Sequence, residues 1–131
     1  MQFRDILSPD DAILVKEDQA VAFTVAVDDP SAQADADGNK FIEAGTWLAA
    51  STDVLLGDRK QVMTPTTDAN KAQGVLLHRA NVNNGQVDGA LVIAGVINRA
   101  MIETATKAKY YSDDQVHNLV KSLPKITVID R

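Results

Sequence analysis

Short apolar runs, closed by turn-forming residues and recurring about every ten positions, constrain this chain more than any other feature. Residues 20–27 (AVAFTVAV) place Val21, Phe23, Val25 and Val27 at period two. Their β-branched and aromatic side chains suit a pleated surface. Residues 12–16 (AILVK), 40–48 (KFIEAGTWL, with a kink expected at Gly45), 54–56, 61–63 and 74–78 repeat the theme in shorter form. Residues 89–97 (GALVIAGVI) are the most apolar stretch, and their β-branched content with Gly95 inside favours strand over helix. Turn words lie between these runs: Asp37-Gly38-Asn39, Gly57-Asp58, Thr64-Pro65 and Asn83-Asn84-Gly85. Asp-Gly readily adopts the positive φ angles of a tight hairpin turn. Strands this short and this evenly spaced predict a small barrel or sandwich.

The last third changes period. Residues 98–108 (NRAMIETATKA) are helix formers, with Met101, Ile102 and Ala105 at helical spacing. Ser112 followed by Gln115 is a capping box. It opens a helix over residues 112–123 whose Val116, Leu119, Val120 and Leu123 fall at i, i+3, i+4 and i+7, with Pro124 as the stop. Residues 126–129 (ITVI) read as a closing strand. The expected class is β-rich α+β, a small β-barrel with one or two helices in the C-terminal half. At 131 residues the chain fits one domain. Residues 1–11, polar and carrying Pro9, are expected to be an arm ahead of a single β-rich domain over residues 12–131.

Composition narrows the chemistry. Aromatics make up 5% of the chain, so Ala, Val, Ile and Leu must build the core. A net charge of −5 disfavours both nucleic-acid backbones and anionic membrane surfaces as partners. The absence of cysteine removes disulfides, thiolate catalysis and cysteine metal sites. The N-terminus lacks the basic-then-apolar layout of a signal peptide, and no apolar run is long enough for a bilayer. Asp35-Ala36-Asp37-Gly38 resembles part of a calcium loop. Setting Gly38 on the invariant glycine, however, puts Gln33 at the first ligand position and Ala44 where a bidentate Glu belongs. A hairpin turn is the better reading. His78 and His117 have no metal-binding neighbours at local spacing. Asp113 and Asp114 occupy a first helical turn, where the dipole favours them without any catalytic role. Gly85, Gly89 and Gly95 are too dispersed to cradle a phosphate, and no nucleophile elbow or P-loop occurs. Trp47, the lone tryptophan, is expected in the core or at a subunit interface. No catalytic, cofactor or metal residue is expected.

The stretch Asp37-Gly38-Asn39-Lys40-Phe41-Ile42-Glu43-Ala44-Gly45-Thr46 resembles a signature of tailed-phage head-decoration and head-fibre proteins, D-G-x-K-x-I-x-A-G-T. Further similarity follows in Ala72-Gln73-Gly74-Val75-Leu76-Leu77, then in residues 78–85 and in the G-A-L-V-x-x-G-x-V strand of residues 89–96. Arg79 stands where an acidic residue is usual. The closing helix and strand are similar in order to those of lambda-type capsid decoration proteins. This resemblance spans residues 37–129. It implies a β-tulip-like decoration domain without enzymatic activity or cofactor, a homotrimer at capsid three-fold positions, and the phage major capsid protein as partner. It also implies a place on the virion's capsid surface after synthesis in the host cytoplasm. Residues before 28 match less well, and Gln2, Phe3, Arg4 and Asp5 in the arm are the expected capsid contacts. A virion adsorption or host-binding module, such as a receptor-binding or tail-fibre domain, is the alternative reading. With no metal-ligand pattern in the sequence, EDTA in metal-free buffer should leave the melting temperature unchanged. A fall of several degrees would refute this.

Overall fold

The computed structural model describes residues 13–15 and 20–130; the arm expected over residues 1–11 lies outside them. Strands β1 (Leu14–Val15), β2 (Val21–Val27), β3 (Phe41–Ile42), β4 (Trp47–Ala49), β5 (Val62–Pro65), β6 (Gly74–Leu76), β7 (Ala80–Asn81) and β8 (Val87–Asn98) come first. Helices α1 (Thr104–Tyr110) and α2 (Asp113–Ser122) follow, and then β9 (Ile126–Ile129).

β8 is the spine. Its first half runs antiparallel to β2 on one edge and to β6 on the other, so Leu91 faces Phe23 and Leu76 while Val92 faces Ala22 and Val75. Its second half pairs antiparallel with β1 and parallel with β9. From β2 the sheet continues through a parallel step to β5, then antiparallel through β4 to β6, which returns to β8. The product is a mixed seven-strand sheet that nearly closes into a ring, with two C-terminal helices in a β-rich α+β fold. A separate two-strand ladder joins β3 to β7.

Successive strand residues point to opposite faces, and here both faces are buried. Leu48, Leu76 and Leu91 enter one apolar cluster with Val25, Val27, Met63 and Val54. Their neighbours Trp47, Val75 and Val92 enter a second cluster with Ile97, Tyr111, Leu119 and Ile126. This is why residues 74–77 and 89–97 read as continuous apolar runs rather than alternating ones. Close strand approach also fixes Gly74: a Cβ there would lie 2.6 Å from the Val92 carbonyl oxygen and 2.6 Å from Leu91 Cδ1.

Three expectations need correction. Residues 54–56 form a turn rather than a strand. The Asp53 carboxylate accepts from the Leu55 and Leu56 N–H groups at 2.8 and 3.1 Å, and Gly57 N–H donates to the Asp53 carbonyl at 2.7 Å. Local side-chain bonding thus outcompetes a strand ladder, leaving Val54 buried and Leu56 91% exposed. The Asp37-Gly38 turn forms, with Gly38 at φ 81° and the Asp35 carboxylate accepting from Asp37 and Asn39 N–H. It does not make a hairpin, because β2 and β3 belong to different sheets. The helix expected over residues 98–108 is divided. A 3-10 turn at Arg99–Met101 gives way to extended Ile102 and Glu103, both with ψ 141°, before α1 begins. Burial of Ile102 against Gly45 draws the chain inward there, while Met101 and Ala105 remain exposed.

The capping box forms as read: Ser112 Oγ accepts from Gln115 N–H, and the Gln115 side chain accepts from Ser112 N–H. α2 then buries Leu119 fully, and β9 lies parallel to β8. Replacing Gly74 with Ala should destabilise the fold by about 1–3 kcal/mol, because the nearest obstacle includes backbone. An unchanged urea midpoint would contradict the close approach of β6 and β8.

Candidate functional site

Two arginine-centred ion-pair groups brace the scaffold. The Arg99 guanidinium donates to Asp113 at 2.8 Å, to Asp130 at 3.2 Å and to the Tyr111 carbonyl at 3.0 Å, tying the start of α2 to the end of β9. The hydrogen bond to Asp113, followed by that to Asp130, raises its pKa above the ordinary value. Arg79 bonds Glu43 at 2.9 Å and stacks 4.3 Å above the Phe41 ring. Among the described residues no group of three or more His, Asp or Glu converges as a metal site. Nor is any helix among them long and apolar enough to cross a membrane.

Residues around Gly45 build part of the core. Gly45, at φ 96°, donates its N–H to the Leu76 carbonyl at 2.7 Å, and its own carbonyl accepts from the Tyr111 hydroxyl at 2.6 Å. Trp47 is fully buried, its ring 5.8 Å from that of Tyr110 and edge-on to Tyr111 at 6.1 Å. Among the described residues the indole N–H meets no hydrogen-bond acceptor at bonding geometry. Burial pushes the Tyr111 phenol up, with the nearby indole pulling the other way. Burial and the negative charge of Asp29 push Tyr110 up to about 12.

The surface offers a different feature. β2 pairs with β8 along its whole length, but on its other edge β5 reaches only Ala26 and Val27. Among the described residues no strand covers that edge from Val21 to Val25. Residues 21–24 are exposed, with Val21 at 44% and Phe23 at 36%. The strand carries no charge or proline, two devices that ordinarily guard a sheet edge, though its pairing with β8 is broken by an irregularity between Val21 and Ala22. Arg59 lies 5.4 Å above the Phe23 ring and brings a positive charge to the patch. Period two correctly puts Phe23 on the face of Val25 and Val27. It could not show that the covering strand β5 stops short of Phe23, since strand length mismatch is a tertiary property. The expected capsid contacts Gln2, Phe3, Arg4 and Asp5 lie outside the described residues.

Comparison with protein-family models, curated proteins and solved structures gives no match.

Both tyrosines are held as neutral phenols, whereas in an unfolded chain a phenol ionises near its ordinary value of 10.0. The unfolded state therefore releases protons first as pH rises. Stability should be full below about pH 10 and fall as pH climbs through the Tyr110 value of about 12. Urea midpoints across this range would check it, and Tyr110→Phe should show a shallower fall than the parent.

Proposed function

We propose that this chain is a structural protein of a tailed-phage head, a lambda-type decoration or head-fibre base domain that docks on the mature capsid lattice. The partner is the major capsid protein, and the working assembly is a homotrimer on the capsid surface. The role is non-enzymatic and needs no cofactor. Within this reading the fold is a variant of the β-tulip-like decoration domain.

The observation that carries the reading is the bare edge of β2. An extended segment of a capsid subunit laid along Val21 to Val25 would gain main-chain hydrogen bonds from the open backbone. It would also cover Val21 and Phe23, with an acidic side chain placed beside Arg59. The resemblance in residues 37–129 supplies the virion setting and the trimer; the arm, through Gln2 to Asp5, would add a second contact. Binding only the mature lattice stabilises it by mass action, and several attachment points per trimer multiply modest contacts through avidity. Such a role calls for a rigid scaffold with an adhesive edge rather than perturbed catalytic groups.

Co-sedimentation with mature, undecorated heads of the phage genome that encodes the chain tests the proposal. Saturable occupancy is expected for the parent. Phe23→Asp, an exposed position, should bind at least about tenfold more weakly with an unchanged melting temperature, a loss of about 1.4 kcal/mol or more per site. Absence of parent binding overturns the decoration role, and full binding by Phe23→Asp removes β2 from it.

A further inference from the structure

The loop joining β7 to β8 carries Asn84-Gly85, the chain's one Asn-Gly pair. Such a pair sets an electrophile beside a nucleophile, the side-chain amide carbon of Asn84 beside the backbone nitrogen of Gly85. Ring closure between them needs an exposed amide, an adaptable backbone and room around that nitrogen. A side chain on the following residue crowds the closing ring. Every other asparagine is followed by Lys, Val, Asn, Arg or Leu and starts from that handicap.

The structure supplies the conditions at Asn84. The residue is exposed in the turn of residues 83–84. Gly85 follows at φ 100°, and the position a Cβ would take there has nothing within 4 Å. Its nitrogen is restrained by the turn's closing bond, the Gly85 N–H donating to the Val82 carbonyl at 3.2 Å. The modest net strength of one such bond limits the protection of that nitrogen to about tenfold. Neighbouring asparagines are held instead. Asn81 Oδ1 accepts from Asn83 N–H at 2.9 Å. Asn83 Oδ1 accepts from Lys40 N–H, and its amide donates to Asn39 Oδ1 at 2.9 Å. Two Asp-Gly pairs fall behind for other reasons. Asp88-Gly89 is fixed in the ladder opposite Ala26 and Val25, and Asp37-Gly38, in a positive-φ turn of its own, offers a carboxylate, a poorer acyl group than an amide.

We infer that Asn84 is a site of spontaneous deamidation, which turns a neutral loop tip acidic. A base in solution takes the Gly85 N–H proton, and the nitrogen attacks Asn84 Cγ. The Cγ–Nδ2 bond breaks, and ammonia leaves with a proton from solvent. Water then opens the cyclic imide. Attack at Cγ leaves aspartate on the ordinary main chain, whereas attack at the main-chain carbonyl leaves isoaspartate, with the chain rerouted through Cβ and one methylene longer. Either product adds one carboxylate and takes the net charge from −5 to −6. The isoaspartyl product also lengthens the main chain inside the Val82–Gly85 turn. That turn anchors the β3–β7 ladder, because Val82 N–H donates to the Lys40 carbonyl at 2.8 Å and Asn83 holds Lys40 and Asn39. Modification therefore loosens β3 and β7 and spares the ring of strands, to which neither belongs. This inference does not rest on capsid docking, and either can fail alone.

Freshly purified full chain would be held in warm, neutral buffer made with heavy-oxygen water, then followed by anion exchange and peptide mass mapping. The expected result is a more acidic species carrying one heavy oxygen at residue 84, mostly as isoaspartate. It should form about tenfold or more faster than modification at any other asparagine. The rate should rise with pH and stay within about tenfold of that in guanidinium chloride. Asn84→Gln, whose longer side chain disfavours ring closure, should not give the species. The isolated isoaspartyl form should show amide NMR shifts centred on residues 39–42 and 80–86. An intact Asn84 after the unfolded chain has reacted, faster reaction at another asparagine, or the same species from Asn84→Gln would each overturn the site. Unmoved signals at residues 39–42 would overturn the loosening of the ladder.

Discussion

The hydroxyl of Tyr111 donating to the carbonyl of Gly45 is the contact on which the two halves of the fold depend. It joins the junction of α1 and α2 to the bend between β3 and β4, positions 66 residues apart. Gly45 is already committed on its other side, its N–H bonding the Leu76 carbonyl. One residue thus ties the helical layer to β6 at the same point. Trp47 then packs between Tyr110 and Tyr111, turning a hydrogen bond into a wedge of three rings. The positive φ of Gly45 lets the backbone present both groups at once. In a chain with 5% aromatics, concentrating three in one place is what gives the second apolar cluster its bulk.

That node explains the mixed legibility of the sequence. The capping box at Ser112 was readable because its chemistry is local: donor and acceptor lie three residues apart and require no tertiary partner. β2, β8 and β9 were readable for a similar reason, since their β-branched runs favour a strand wherever they pack. The turn at residues 54–56 was not, because Val-Leu-Leu suits a strand and only the Asp53 carboxylate redirects the backbone. The split of the helix before Thr104 was hidden for the opposite reason. Ile102 leaves helical geometry to reach Gly45, a partner 57 positions away that no periodicity reveals. Within residues 37–46, Ile42, Gly45 and Thr46 are buried while Asp37 and Gly38 are exposed, a division that no periodicity in the stretch reveals.

The exposed features are equally tertiary in origin. A surface cleft takes one wall from a loop near residue 68 and the other from a helix near residue 118, and neither carries a recognisable motif. Each segment taken alone reads as an ordinary polar surface. Only the ring of strands, by setting the loop after β5 opposite α2, brings these two polar segments across a gap from one another. A juxtaposition of this kind is invisible to spacing rules, which detect chemistry only when its parts share one element.

The incomplete ring is the more consequential asymmetry. β2 has seven residues and β5 four, and their parallel pairing covers just two positions. A longer β5 would have sealed the edge and buried Phe23 together with Val25 and Val27, which share its face. Instead Arg59, in the turn-rich segment leading into β5, stacks on Phe23 and occupies one side of its ring without satisfying the backbone edge. Among the described residues no strand covers the edge from Val21 to Val25, and an uncharged strand edge is open to further pairing. A single lysine at Ala22 or Thr24 would guard it at small thermodynamic cost, because both positions already face solvent. Among the described residues the edge is guarded by the irregularity between Val21 and Ala22 and by the charge of Arg59 on Phe23, and by no charged side chain of the strand itself.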